Sequence, residues 1–145
     1  MPVTPRQVSQ AFVQLMPQIL RGVALDFFIR RGVTQTQFLV LMAIHATGRS
    51  PMGVLARNMQ VSMPTATGIV DRLAQAAFVR RSPKPEDRRQ VLVELTPKGR
   101  QFLRGFHRVI RRRWEEVLRS LTAQEMDSFY RVLTKLRDRL RPDVP

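Results

Sequence analysis

Hydrophobic residues recur every three or four positions along most of this chain, which is the spacing of one face of an α-helix. The first such segment begins at Thr4-Pro5, where a capping residue precedes the proline that a helix tolerates in its first turn. The segment runs to Arg31, and Gly32 closes it. Because Pro17 lies inside the pattern, we expect it to kink this helix or to split it in two.

Three shorter helices are predicted in the middle of the chain. A capping box of Thr34 and Gln37 opens the first, which Gly48 ends. The second spans residues 52–59, and the third is capped by Ser62 and ends at about residue 77. Two short helices joined by a tight turn are typical of a helix-turn-helix, although other helical proteins contain the same arrangement.

Two β-prone runs, residues 78–81 and 91–95, follow these helices. They flank the segment Ser-Pro-Lys-Pro-Glu-Asp, which its prolines keep out of a helix, so we predict a hairpin with a long loop. This is the one strand pair that the pattern predicts. The expected fold class is therefore mainly α with a small β-hairpin.

Two amphipathic helices are predicted after the hairpin. Thr96-Pro97 begins the first, and a capping box of Thr122 and Glu125 begins the second, which Arg141-Pro142 ends. The apolar residues of the second helix alternate in steps of three and four, as in the seam of a helix that packs on another helix. These seam residues are Met126, Phe129, Leu133, Leu136 and Leu140.

The composition is strongly basic. Lysine and arginine total 25 against 11 aspartates and glutamates, which gives a net charge of +14 and attracts polyanions such as nucleic acids or anionic membranes. The absence of cysteine excludes thiol redox sensing, iron–sulfur clusters and cysteine-bound zinc. Because the apolar runs are too short to span a bilayer and no secretion signal is recognisable, we expect a cytoplasmic, nucleoid-associated protein with no membrane partner.

The third short helix has the surface expected of a DNA recognition helix. Its outward side is small and polar, which fits a major groove, and its N-terminal amides behind the Ser62 cap suit a phosphate. The same pattern suits an ordinary solvated helix, and this helix alone does not decide between the two. The inward residues are Ala66, Ile69, Val70 and Leu73, and the outward ones are Pro64, Thr67, Gly68, Asp71 and Gln75, with Thr65 and Arg72 at the edges.

The charge of the hairpin favours DNA. A basic hairpin directly after a recognition helix forms a wing that can place an arginine in the adjacent minor groove. A charge run alone is more often a solvated face, but the helix and the hairpin together indicate duplex DNA. The cations are Arg80, Arg81, Lys84, Arg88 and Arg89.

The stretch SMPTATGIVDRLAQAAFVRRSPKPEDRRQVLVELTPKGR closely resembles the MarR family of bacterial winged-helix regulators. The specific features are the Asp87-Arg88-Arg89 motif and the exit Leu95-Thr96-Pro97-Lys98-Gly99, and the match includes Asp71-Arg72-Leu73. The resemblance implies a winged helix-turn-helix over residues 34–96 and a dimerisation scaffold of residues 1–33 and 97–145.

The resemblance also implies a homodimer whose first, fifth and sixth helices intertwine and whose paired recognition helices enter successive major grooves of a palindromic operator. Phe12, Leu118 and the five seam residues are the expected dimer contacts. Arg89 is the expected minor-groove arginine, while Arg88 and Lys84 are expected to meet phosphates.

Asp87 is expected to orient the wing by bonding a backbone amide or an arginine. The residues expected to contact DNA from the recognition helix are Ser62, Met63, Pro64, Thr65, Thr67, Gly68 and Arg72.

Family members often bind a small aromatic or anionic effector between the dimer helices and the winged domain. Phe27, Phe28, Phe106 and His107 are the candidates here, with core packing as the alternative. For His107, which lies beside the apolar stripe of its helix, we favour a core position over a ligand role. No metal site and no cofactor is predicted.

The function expected from the sequence is that of a homodimeric, sequence-specific DNA-binding regulator, a repressor relieved by a small effector. No Ser-His-Asp arrangement, glycine-rich phosphate loop or metal-spaced pair suggests an enzyme. The alternatives are a sequence-indifferent nucleoid protein, which the net charge would suit, and a basic adaptor for a protein or RNA partner.

Overall fold

Helices make up most of the chain and pack around a small antiparallel sheet. The computed structural model describes residues 1–21 and 23–140. The helices are α1 (Pro5–Leu20), α2 (Val23–Arg31), α3 (Gln35–Thr47), α4 (Met52–Asn58), α5 (Met63–Gln75), α6 (Pro97–Leu118) and α7 (Ala123–Leu140). The strands are β1 (Arg49–Pro51), β2 (Val79–Lys84) and β3 (Asp87–Leu95), in the spatial order β1-β3-β2. The predicted fold class is confirmed.

The N-terminal segment forms two helices, and the break lies at Arg21. Thr4 caps α1 as expected, accepting a hydrogen bond from the backbone N–H of Gln7. Of the two effects expected of Pro17, a split at this residue does not occur, because the helix continues through it to Leu20, and a kink stays a prediction. A proline inside a helix removes one backbone hydrogen bond, whereas the extended backbone of Arg21 ends the helical path.

The three central helices begin and end within about two residues of their predicted limits. The Thr34–Gln37 capping box is present at the start of α3. Gly48 ends α3 at a φ of 75°, a conformation that side-chain-bearing residues rarely adopt, and its N–H donates to the carbonyl of Ile44. Ser62 caps α5.

The sheet differs from the prediction in two ways. Strand β1 was not predicted; it pairs with β3 in the register Arg49↔Glu94, Ser50↔Val93. The predicted long loop is wrong, because β2 continues through Pro83 and only residues 85–86 form the turn. Proline is tolerated there because β2 is an edge strand, and a register irregularity follows it.

The core of the winged module is formed where α3 lies against α4, α5, the sheet and the first turns of α6. These elements supply the largest side chains that are almost completely removed from solvent. Burial of each such side chain contributes roughly 1.5–3 kcal/mol, so this cluster fixes the position of α5 relative to the sheet. The residues are Val40, Leu41, Ile44, Leu55, Val70, Leu73, Val93 and Leu103.

The C-terminal helices α6 and α7 begin as predicted. The Thr122–Glu125 capping box opens α7, with the Thr122 N–H donating to the Glu125 carboxylate. Arg141-Pro142, the predicted end of this helix, lies outside the described residues. No residue of α7 is buried, so its apolar seam is unpartnered in the single chain.

The start of α6 is bonded to the end of α5. The Thr96 hydroxyl donates to the carbonyl of Ala77 at 2.6 Å and accepts from the N–H of Gly99 at 3.1 Å. The Lys98 ammonium donates to the carbonyl of Ala76 at 2.7 Å. The bonds to Ala76 and Ala77 satisfy two carbonyls that the end of α5 exposes, and they join α5 to the start of α6, while the bond from Gly99 caps α6 itself.

We expect Gly99→Ala to lower the free energy of unfolding by about 3 kcal/mol, because a Cβ at this position would overlap the backbone carbonyl of Phe78. Gly68→Ala is the matched control. Nothing lies within 4 Å of a Cβ at Gly68, so this substitution should stabilise the helix by about 0.5–1 kcal/mol. Chemical denaturation measures both changes, and equal effects of the two would contradict the close approach of α6 to Phe78.

Candidate nucleic-acid interface

Helix α5 presents the small polar face that the sequence predicts. Ala66, Val70 and Leu73 are each 1% exposed, and Ile69 is half-buried. All the expected contact residues except Thr67, which is half-buried, are exposed: Ser62, Met63, Pro64, Thr65, Gly68 and Arg72. The exposed side of α5 is therefore available to a major groove along its first three turns.

The N-terminus of α5 offers fewer free amides than expected. Pro64 has no N–H, the N–H of Thr65 donates to the Ser62 hydroxyl, and the N–H of Ala66 donates to the Ser62 carbonyl. Among the first four residues of the helix, this leaves the amide of Met63. The cap and the proline thus reduce the number of amides that a phosphate could meet, and phosphate binding at this helix start stays a prediction.

The wing is a two-stranded ribbon that extends beyond the three-stranded part of the sheet. Strand β1 ends opposite Leu92, so the outer part of β3 has only β2 beside it. Val91 lies opposite Pro83 and Asp87 opposite Lys84, and the register is irregular between these two pairs, which leaves residues 88–90 without a Cα partner on β2. Lys84, Arg88 and Arg89 lie at its outer end. Among the described residues, the side chains of these three make no ion pair.

Asp87 restrains the turn of the wing. One of its carboxylate oxygens accepts a hydrogen bond from the backbone N–H of Arg89 at 3.1 Å. Of the two bonds expected for Asp87, the one to a backbone amide is therefore present. It fixes the backbone that carries the Arg89 side chain and leaves the guanidinium free to bind.

Arg80, one of the five wing cations, stabilises the sheet. Arg80 of β2 and Arg49 of β1 donate from opposite sides to Glu94 of β3, at 2.6 and 2.9 Å. The hydrogen bond from Arg80, together with that from Arg49, holds the pKa of the Glu94 carboxyl below its ordinary value, against the opposing effect of desolvation. Glu94 thus bonds side chains of both neighbouring strands.

Arg81 joins the base of the wing to the recognition helix. Its guanidinium forms an ion pair with Asp71 at 2.6 Å and donates to the carbonyl of Thr67 at 3.3 Å. Both acceptors belong to α5, so the angle between helix and wing is held by this side chain. Arg80 and Arg81 are therefore mainly structural, and spacing and composition alone do not separate them from Arg88 and Arg89.

A groove of about 590 Å³ separates α5 from the wing. Arg57, Arg81 and Arg89 line it, together with Met63, Thr67 and Gln90. Arg57, in the last turn of α4, was missed by the sequence analysis. Arg57 could have been singled out because it is the one cation of α4, the first helix of the helix-turn-helix.

The aromatic residues expected around an effector are packed together. Phe27 lies 5.9 Å from Phe28 and 5.5 Å from Phe106 between ring centroids, and Phe27 is buried. His107 is exposed, with its ring 6.2 Å from that of His45, so the expectation of a core histidine is wrong. The apolar stripe of α6 turns away from this residue.

Neither a metal centre nor a membrane span is found in the described part of the chain. Among the side chains that the structure describes, no three of histidine, aspartate or glutamate are placed to share a metal ion. Over the same residues, no helix is long and apolar enough to cross a bilayer.

Comparison with known proteins identifies the family. The MarR family model matches residues 33–91, which contain the helix-turn-helix and most of the wing. The HTH-type transcriptional repressor YetL of Bacillus subtilis is 32% identical over 120 residues, covering 79% of this chain and 70% of YetL. The chain belongs to the MarR family. It is a DNA-binding transcriptional regulator.

Solved structures share the fold of this MarR-family chain. RV1404 from Mycobacterium tuberculosis superposes with a TM-score of 0.79 at 21% identity, covering 98% of each chain. A mutant of MepR from S. aureus bound to an oligodeoxyribonucleotide superposes with a TM-score of 0.69 at 18% identity, covering 97% of this chain and 100% of MepR. At these identities the likeness is one of fold.

Glu94→Gln is expected to lower the free energy of unfolding by about 1 kcal/mol at pH 7, because exposed arginines bond the carboxylate. The lowered pKa means that the charge stabilises the fold above the ordinary value near 4.5, and that this contribution disappears as the pH falls through the folded-state pKa. The difference in melting temperature between wild type and variant should therefore shrink between pH 7 and acidic pH. Glu86→Gln, in the exposed turn, is the control and should show no such change; a pH-independent difference for Glu94→Gln would contradict the assignment.

Proposed function

We propose that this MarR-family regulator is a homodimer that represses transcription by binding a palindromic duplex, and that a small effector relieves the repression. The observation that carries the proposal is the groove between α5 and the wing, with arginines on both sides. YetL, named as a repressor, supports the direction of regulation. The site of action is then the chromosome in the cytoplasm.

The groove suits the sugar–phosphate backbone of DNA. A helix in the major groove and a wing in the adjacent minor groove are necessarily separated by one phosphodiester strand. In this proposal that strand passes Arg57 and Arg89, which line the groove together with Thr67 of α5. Arg88 and Lys84 extend the positive surface along the ribbon, whereas Arg81 already bonds Asp71.

Arg89 is proposed to enter the minor groove. Its backbone is fixed by Asp87 at the outer end of the ribbon, and its side chain has no acidic partner among the described residues. A narrow minor groove has a strongly negative potential, which favours a guanidinium. The small face of α5 gives few bidentate base contacts, so groove shape and backbone contacts supply much of the selectivity in this proposal.

The apolar surfaces of α1 and α7 support the homodimer. Phe12 of α1 is 37% exposed, and Leu133, Leu136 and Leu140 of α7 are 41, 46 and 80% exposed. Leu118, Met126 and Phe129 are half-buried beside them. A helix of 18 residues with an uncovered heptad seam is stabilised by burying that seam, and a second copy of the chain is the proposed occupant.

Arg89→Ala is expected to cost about 1–3 kcal/mol of affinity for a duplex selected from random sequences, because a minor-groove contact and a cation are both lost. Fluorescence anisotropy at fixed salt measures the affinity. Arg112→Ala removes the same charge from the exposed surface of α6 and should have little effect. Equal losses in the two variants would show that the wing has no special role.

Selection of bound duplexes from a pool of random sequences tests the proposed regulator against the alternative of a sequence-indifferent nucleoid protein. A sequence-specific regulator should enrich a palindrome. Its affinity for the palindrome and for random duplex should both fall with rising salt, but the palindrome should bind more tightly at every salt concentration. Recovery of no preferred sequence, with equal affinity for every duplex, would favour the nucleoid-type alternative.

Leu133→Glu with Leu136→Glu is expected to convert the dimer into a monomer, since it places charges on the seam, and to abolish tight binding to the full palindrome. Gln124→Glu with Ser128→Glu adds the same charge to exposed positions on the other side of α7 and should leave the dimer intact. Sedimentation measures the oligomeric state. A wild-type monomer, or a variant that remains dimeric, would contradict the proposed interface.

A further inference from the structure

A row of arginines occupies the exposed side of α6. Arg104, Arg108 and Arg111 follow one another in steps of four and three, so they share one face of the helix. All three are exposed, and together with His107 they line a shallow depression of about 470 Å³ to which no other described residue contributes. These four residues form the basic face of α6.

Little negative charge lies near the basic face. Helix α6 contains no acidic residue before Glu115, and α3, which packs beside it, contains none at all. Arg104 and Arg108 form no ion pair with a described side chain. Arg111 lies 3.5 Å from Glu115, but both side chains are exposed, and such a pair contributes little. The three guanidinium groups are therefore available to an external anion.

The opposite side of α6 is already covered. Phe102 and Leu103 are buried, and Phe106 and Val109 pack against the core of the winged module. A helix that binds a membrane surface inserts its apolar face among the lipid chains. Because the apolar face of α6 lies in the protein core, a lipid surface is not the partner that this helix fits. The partner meets the basic face through charge alone.

The spacing of the arginines matches the phosphates of a duplex. The seven residues from Arg104 to Arg111 advance about 10 Å along the helix axis. A duplex carries one phosphate per about 3.4 Å of its axis on each strand, so the same length contains about three phosphates of one strand. Each guanidinium can donate two parallel hydrogen bonds to a phosphate, and the ring of His107 supplies a further N–H.

We propose that the basic face of α6 is a second DNA-binding surface, which contacts the phosphate backbone of a duplex without reading its sequence. The surface is separate from the groove between α5 and the wing, because no residue of α6 lines that groove. No described side chain holds Arg104 or Arg108 in a fixed orientation, and contacts to phosphates carry no sequence information by themselves. The proposal requires neither a palindrome nor a homodimer nor an effector.

Fluorescence anisotropy with a random-sequence duplex, at several salt concentrations, tests this surface on the full chain. Replacing Arg104, Arg108 and Arg111 together by glutamine should lower the salt slope of log affinity by about 2–3, because about three phosphate contacts are lost. At about 0.1 M salt the affinity should fall about tenfold.

Two further variants separate the surface from net charge and from folding. Replacing the exposed Arg6, Arg21 and Arg131 by glutamine removes the same charge from other helices and should change the slope by less than about 1. Lysine at the three positions of the basic face keeps the charge and should keep most of the slope. Equal losses in the two glutamine variants, or a lysine variant as weak as the glutamine variant, would overturn the proposal. So would a basic-face variant that loses affinity for duplex RNA or polyglutamate but not for DNA.

A duplex that just covers the selected palindrome provides a second readout, which rests on the proposed function. This duplex lies in the groove between α5 and the wing, so the glutamine variant of the basic face should bind it within about twofold of the control variant. The ratio of selected to random affinity should consequently rise about fivefold or more. An equal loss on both duplexes would contradict two separate surfaces. If no preferred sequence exists, the proposed function fails, whereas the changed salt slope on random duplex still supports the basic face.

Discussion

The arrangement of the winged module depends on the contact between the end of α5 and the start of α6. Thr96 and Lys98 donate to the last carbonyls of the recognition helix, and Gly99 lets the backbone of α6 approach Phe78. A helix end leaves carbonyls without partners, and here the scaffold supplies them. The position of α5, the proposed recognition helix, is consequently set by the same residues that begin α6.

Local signals made most of the fold predictable. The capping boxes at Thr34 and Thr122 and the glycine at Gly48 act within one helical turn, so their effects can be read from neighbouring residues. Strand β1 was missed because three residues carry no periodicity and the strand exists through pairing with β3, more than forty residues away. Its burial and register come from tertiary packing.

The candidate site likewise contains residues that a local motif identifies and residues whose role depends on tertiary contacts. Lys84, Asp87, Arg88 and Arg89 form a recognisable motif, and the structure places them together at the end of the ribbon. The separate roles of Arg80 and Arg81 depend on Glu94 and Asp71, whose proximity is created by sheet pairing and by the packing of α5 on β2. An arginine has the same charge in both settings, so composition and spacing cannot distinguish a structural cation from a free one.

The distribution of charge explains why the salt dependence of DNA affinity says little about discrimination between DNA sequences. Residues 34–96 contain eight of the 25 lysines and arginines and four of the 11 acidic residues, so most of the excess charge lies outside the winged module. That excess attracts any polyanion and raises the affinity for every duplex equally. In the proposed binding mode, selectivity comes from the few groups whose geometry is fixed: the face of α5 capped by Ser62, and the ribbon held by Asp87 and Arg81. A rigid helix-to-wing angle converts groove width into a difference in binding energy, because a duplex of the wrong shape cannot meet both elements at once.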